Sequence, residues 1–241
     1  MRDHFIGRLC DMAQRDPRIV LITGDLGFGV LDEFRRRFPE QFVNAGVAEQ
    51  NMTGLATGLA LEGHIVFTYS IANFVFMRCL EQIRNDAAYH GCNVNVVSIG
   101  GGFSYGALGV SHHATEDLAM MRSLPETTVL APGDNYEAVE ATETVAQTEG
   151  VCYLRLDKST AGEQTAPDAP FELGRARVIR QGRDATLVAC GGILGEALQA
   201  AERLQQQGVS TRVLSMHTLK PIDREALAAA AREPGGIVTI E

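Results

Sequence analysis

Tryptophan is absent from the 241 residues, and aromatics make up only 6% of them, which leaves little material for stacking nucleic-acid bases. Positive charge is short as well: 21 Lys and Arg stand against 30 Asp and Glu, a net charge of −9. Such an acidic chain repels a phosphate backbone, so no nucleic-acid partner is expected. The five cysteines, Cys10, Cys79, Cys92, Cys152 and Cys190, form no C-x-x-C pair. That wide spacing fits neither a disulfide framework nor a zinc site and points to reduced thiols in a cytoplasmic protein. No apolar run approaches the roughly 18 residues of a membrane span, so no membrane partner is expected. The opening MRDHFIGRLCDMAQRDPRIV reads as an amphipathic helix, with Phe5, Ile6, Leu9, Cys10 and Ala13 on one face, and not as a signal peptide. What is present is an ordinary globular composition, 45% apolar, enough for a sizeable core in one or two domains.

Short apolar runs alternate with helical patterns from residue 19 onward. IVLIT (19–23), HIVFTY (64–69), VNVVSI (94–99), TTVLAP (127–132) and VCYLRL (151–156) read as buried strands. Helices are expected over GVLDEFRRRF (29–38), from residues 44–46 onward, over about 73–90 and over NYEAVEATETVAQ. Continuous apolar strands separated by helices indicate an α/β fold, a doubly wound parallel sheet covered on both faces. A polar, aperiodic stretch at 157–171 breaks the alternation. The chain is therefore divided into a first domain at 1–158, a linker at 159–171 and a second α/β domain at 172–241. That second domain has few strands for a doubly wound sheet and is expected to be partial.

Three features stand out. Glu49 lies near the start of a helix whose following face, Met52, Leu55, Ala56, Leu59 and Ala60, is apolar. The helix macrodipole accounts for an acid in a first turn, at about 0.3–1 kcal/mol; a carboxylate partly desolvated at the edge of a site, with Gly54 and Gly58 admitting a flat ligand, is the other reading. In NFVFMRCLEQIRND, Phe74 and Met77 lie one turn apart and Arg78 faces Glu81 at i, i+3, which core packing and a helix-face ion pair explain on local grounds. GGGFSYGALGVSHHATED follows a strand at its carboxyl end, the place where open parallel sheets bind ligands. Its spacing is no dinucleotide or phosphate-loop fingerprint. Of its adjacent histidines, His112 and His113, one is read as a proton donor and the other as a surface residue.

Taken in order, GVAEQNMTGLATGLALEG, EQIRND, GVSHHATEDLAMMRSLPETTVLAPGDNYEA, YLRL and LSMHTLKPID resemble the C-terminal half of the transketolase family, most of all transketolases split between two genes. The resemblance implies a pyrimidine-binding domain for residues 1–158 and thiamine diphosphate as cofactor. The metal-binding G-D-G…N pattern of the family's other half is not found here, so a partner N-terminal chain is implied to hold the diphosphate and Mg2+, in an assembly with two copies of each (α2β2). This chain is assigned no metal ligand. Glu49 matches the glutamate that shares a proton with the ring's N1′. Phe74 matches the aromatic that packs on that ring, with Ile71 and Met77 at positions where other members carry aromatics. His112 matches a substrate-facing histidine, and Arg155 an arginine that meets a sugar phosphate. A histidine and a sugar-reading aspartate of the family are replaced by Gly100 and Leu108, which implies a less hydroxylated or modified substrate.

The reaction implied is transfer of a two-carbon ketol unit from a ketose, or ketose phosphate, to an aldehyde. Two alternatives stand beside it. One is a thiamine-diphosphate enzyme acting on a 2-oxoacid, of the deoxyxylulose-phosphate-synthase or 2-oxoacid dehydrogenase β type. The other is a non-catalytic scaffold subunit.

Overall fold

A computed structural model describes every residue except 163, 165–168 and 233–234. The expected linker 159–171 therefore lies in part outside the described residues. The strands are β1 (Ile19–Thr23), β2 (Phe42–Asn44), β3 (Ile65–Ile71), β4 (Val94–Ile99), β5 (Thr127–Leu130), β6 (Val151–Leu156), β7 (Arg177–Arg180), β8 (Ala185–Ala189), β9 (Thr211–Ser215), β10 (Thr218–Lys220) and β11 (Ile237–Ile240). The helices are α1 (Arg2–Arg15), α2 (Asp32–Arg37), α3 (Glu49–Leu61), α4 (Ala72–Met77), α5 (Leu80–Gln82), α6 (Asp117–Ser123), α7 (Asn135–Gln147), α8 (Leu194–Gln206) and α9 (Arg224–Ala231).

Seven strands form the larger sheet in the order β10-β5-β6-β4-β3-β1-β2, parallel throughout except for β10. Its strands are apolar on both sides because both faces are covered. On one face, Met52 and Ala56 of α3, Val75 and Phe76 of α4 and Met121 of α6 pack against Val66, Val94 and Val96. On the other, Phe5 and Leu9 of α1 and Ala138, Ala141 and Val145 of α7 pack against Leu21, Phe67 and Val97. Burying a side chain such as Leu9 or Phe5 stabilises the fold by about 1.5–3 kcal/mol. This is the doubly wound sheet that the alternation indicates.

The smaller sheet has four strands, β11-β8-β9-β7, with β7 antiparallel. It is tied to the first in two ways. Strand β10 leaves it to pair antiparallel with β5, Thr218 opposite Leu130. Beneath that pairing lies a buried ion cluster: Arg177 Nη1 is 3.1 Å from Asp134 and 2.9 Å from Glu137, whose other oxygen accepts from Ser215 Oγ at 2.9 Å.

Three local expectations give way. Phe42–Asn44 is an edge strand on β1, so the helix starts later, at Glu49. The helix expected over 73–90 breaks after Met77 and resumes as α5 and a π-helical turn at Ile83–Ala88. The helix expected over 29–38 is confined to Asp32–Arg37. All five cysteines are buried free thiols, and among the described residues no helix is long and apolar enough to cross a membrane.

Candidate active site

Glu49, Phe74 and His112 each follow the carboxyl end of a strand in the same parallel sheet. Glu49 opens α3 after β2, Phe74 lies in α4 after β3, and His112 ends a loop after β4. The chain runs from β1 outward to β2 and then crosses back to β3 on the other side of β1. That reversal is the switch point at which such sheets bind ligands.

Glu49 is only 3% exposed. As the first residue of α3 it meets the positive end of the helix, and its Cγ lies over the backbone of Gly24, 3.5 Å from where a Cβ there would stand. Its ion partner is Arg78, whose Nη1 donates to Oε2 at 2.9 Å. The sequence suggests Glu81 for that arginine. Instead, α4 ends at Met77, and Arg78, its C-cap, reaches across to α3. The guanidinium also lies over the Phe74 ring, Cζ 4.5 Å from the centroid. Gly54 and Gly58 face open space, with nothing from another element among the described residues within 4 Å of where a Cβ would stand.

The loop carrying His112 is pinned at its base by paired hydrogen bonds between Gly102 and Ala114, 2.7 and 2.9 Å. Asn73 Nδ2 donates to the carbonyl of His113 at 2.7 Å and fastens the loop to α4. This brings the His112 ring edge-on to Phe74, centroids 5.0 Å apart. Ser111 Oγ sits 3.0 Å from His112 Nδ1, and Nε2 meets no partner among the described residues. His113 turns away, its ring on Phe103 and its Nε2 3.3 Å from the Gly106 carbonyl. Ile71 ends β3 half-buried, and Met77 is exposed at the last residue of α4.

Arg155 is not brought to this group. It lies buried in β6, with Asp117 at 3.3 Å, Asp157 at 3.5 Å and Glu241 at 3.3 Å. Burial works against its charge, but the carboxylates Asp157 and Asp117 outweigh it and hold the guanidinium above its ordinary pKa. Tyr153 Oη donates to Asp117 Oδ2 at 2.8 Å. Burial pushes the Asp117 carboxyl up, against the opposing pull of Arg155. Arg155 thus has its charge matched from within the chain. It forms the floor of a recess of about 350 Å³, walled by Gly101–Ser104, Thr115, Asp157 and Cys190.

Two residues that sequence reasoning missed are chain neighbours of that lining, Tyr105 after Ser104 and Lys158 between Asp157 and Ser159. Tyr105 packs where a side chain at Gly100 would be: a Cβ there would fall 2.5 Å from its ring. Exposed Lys158 caps the Tyr105 ring, Nζ 4.0 Å from the centroid. Tyr105 in turn lies beside His112, centroids 6.3 Å apart. The only sequence signal for Lys158 is a second cation three residues beyond Arg155, just past the end of a strand.

A family model described as the transketolase pyrimidine binding domain matches residues 1–163, and one described as the transketolase C-terminal domain matches residues 174–241. The putative transketolase C-terminal section of Methanocaldococcus jannaschii is 37% identical over 244 residues, covering 100% of this chain and 76% of that protein. An apulose-4-phosphate transketolase subunit of Phocaeicola vulgatus is 36% identical over 242 residues, covering 100% and 78%. A 6-deoxy-6-sulfo-D-fructose transketolase subunit of a Clostridium species is 37% identical over 242 residues, covering 100% and 75%. A solved split gene transketolase, an inactive β4 tetramer, superposes with a TM-score of 0.89 at 39% identity, over 100% of this chain and 79% of that one. These relatives favour ketol transfer over the 2-oxoacid and scaffold readings. With both of its sheets inside matched domains, the chain belongs to the transketolase family, as a transketolase-type transferase subunit with a pyrimidine-binding and a C-terminal domain.

Proposed function

We propose that this chain supplies the pyrimidine-binding half of a thiamine-diphosphate site and works with a partner chain that holds the diphosphate and Mg2+. The observation that carries the reading is the buried carboxylate of Glu49 beside the Phe74 ring, joined to it through Arg78. A carboxyl group that can share a proton with a ring nitrogen, next to an aromatic face, is the pair of contacts an aminopyrimidine needs. When bound, the cofactor supplies the carbon nucleophile that takes up a ketol unit. Glu49 holds or releases a proton at the ring nitrogen it faces. Phe74 orients the ring, with half-buried Ile71 and exposed Met77 beside it. With Nδ1 satisfied by Ser111, His112 presents Nε2 to a substrate oxygen.

The substrate is read as an anionic, modified sugar. Arg155 is already neutralised by three carboxylates, so we assign it to holding the β6 end and give the anion to exposed Lys158, which lies in the chain between Asp157 and Ser159 of the recess lining. Exposed Leu108 offers no hydrogen bond to a sugar hydroxyl. Two relatives are named for sugars bearing a phosphate or a sulfo group, which agrees with a cation there. Exposed apolar residues on the site elements, Val47, Leu55 and Met77 on or beside the helices and Leu108 and Val110 on the loop, supply a surface for the partner. An α2β2 assembly and a cytoplasmic setting, where five unpaired thiols persist, complete the reading.

The test is reconstitution. This chain is mixed with a diphosphate-binding chain, thiamine diphosphate and Mg2+, and ketol transfer between a sugar phosphate and an aldehyde is assayed. Activity that requires all components supports the reading; full activity of this chain without any partner contradicts it.

A further inference from the structure

We propose that Arg78 is a stand-in for the pyrimidine ring: in the free chain it occupies both contacts that the ring would make, and it yields them when the ring arrives. This rests on the reading of Glu49 and Phe74 given above. The guanidinium is planar and donates through N–H, as an aminopyrimidine is and does once its ring nitrogen carries the proton shared with Glu49. One N–H meets Glu49 Oε2 at 2.9 Å, and the group lies 4.5 Å from the Phe74 centroid. His112 meets Phe74 edge-on at 65° and leaves a ring face free for a flat group. A second flat donor cannot share that face and that oxygen with the guanidinium.

The unequal burial of the pair says which member moves. Glu49 is 3% exposed, whereas the Arg78 side chain is 50% exposed. The carboxylate is fixed as the first residue of α3, over Gly24. The arginine hangs from the C-cap of a broken helix, with open solvent on its other side. A buried carboxylate left without a counter-charge is strongly disfavoured, so a chain that keeps Glu49 ready needs a partner for it until the ring comes. A long, half-exposed side chain meets that need at low cost, because its own charge is easily rehydrated. Once displaced, Arg78 is a free cation at the rim of the site.

The probe is thiamine, which carries the pyrimidine without the diphosphate, titrated toward saturation into the isotope-labelled full chain. The Arg78 Nε–Hε resonance is assigned by its loss in Arg78→Lys. Expected are a shift of that resonance to the position of a solvent-exposed arginine, in step with shifts at Phe74, and binding to Arg78→Ala roughly threefold tighter than to wild type, the size of one partly exposed ion pair. Arg78→Lys, which keeps the charge but not the flat face, is expected to fall between, and it stands in if Arg78→Ala fails to fold. Shifts at Phe74 with an unmoved Arg78 resonance, or weaker binding in the arginine variants, would overturn the stand-in role while leaving the site reading intact. Thiamine that moves no resonance near Phe74 or Glu49 would overturn both.

Discussion

The imidazole of His112 meets the ring of Phe74 edge-on, centroids 5.0 Å apart, so the group assigned to the substrate and the one assigned to the cofactor brace each other. Such aromatic pairs are worth about 0.5–1.5 kcal/mol beyond their buried area. Phe74→Ala is therefore expected to weaken cofactor retention roughly threefold to tenfold and to move the His112 ring resonances. Phe74→Leu should keep more of the first property than of the second. Titration of cofactor into the reconstituted complex, with imidazole NMR of this chain, measures both.

Arg155 and Lys158 separate structure from recognition. Arg155 and Asp117 are 4% and 0% exposed, and removing one member of a buried pair costs about 3–5 kcal/mol. Arg155→Met should lower stability by an amount of that order in denaturant unfolding. Lys158→Ala should leave stability within about 0.5 kcal/mol while raising KM for a sugar phosphate and sparing a neutral sugar. Equal stability loss in both variants would remove the distinction.

Gly100 combines φ +79° with Tyr105 packed where its Cβ would go. Gly100→Ala is expected to destabilise the chain by about 1–3 kcal/mol through overpacking, and the bulkier Gly100→His by at least as much. Adding Tyr105→Ala should return part of that loss. Thermal unfolding of the two single variants and the Gly100→Ala/Tyr105→Ala pair decides it.

His217 carries the acid sensitivity of the seam between the sheets. Burial, followed by the nearby Arg177 charge, lowers its pKa from 6.5 to about 3. The folded state thus keeps the ring neutral where the unfolded chain protonates it, so the unfolded state binds more protons between those values. Stability is lost as pH falls through that window, by up to about 1.4 kcal/mol per pH unit. Asp134 in the same cluster works in the opposite sense, since burial raises its carboxyl pKa and the folded state binds the extra proton. His217→Gln should flatten the fall in melting temperature between about pH 7 and pH 5; an unchanged slope would contradict this assignment.

Much of the fold is legible in the sequence because strands buried on both faces must be apolar throughout, as IVLIT, VNVVSI and VCYLRL are. Strand β10 is not, since three residues, Thr218–Lys220, carry no period and pair only because the edge of β5 is free to receive them. The break after Met77 is equally silent: no Gly or Pro marks it, and a π-helical turn has no compositional signature. Within the site, Glu49, Phe74 and His112 are found through resemblance and fall after the carboxyl ends of strands in one sheet, β2, β3 and β4. Arg78–Glu49 is a long-range pair that helical spacing misdirects toward Glu81. Arg155 is readable in part. It shares a strand face with Tyr153 at i, i+2, and that face is covered by α4 and α6, so its burial follows from the pleat.

The central claim is that the Glu49 carboxylate manages a proton for a bound pyrimidine. The most direct measurement is ketol-transfer turnover of the reconstituted complex carrying Glu49→Gln, a replacement of the same shape that cannot ionise, with assembly and melting temperature checked alongside. Turnover lower by at least about 100-fold, the scale of a lost acid–base group, with assembly intact, is the expected result. Turnover equal to wild type would contradict the account.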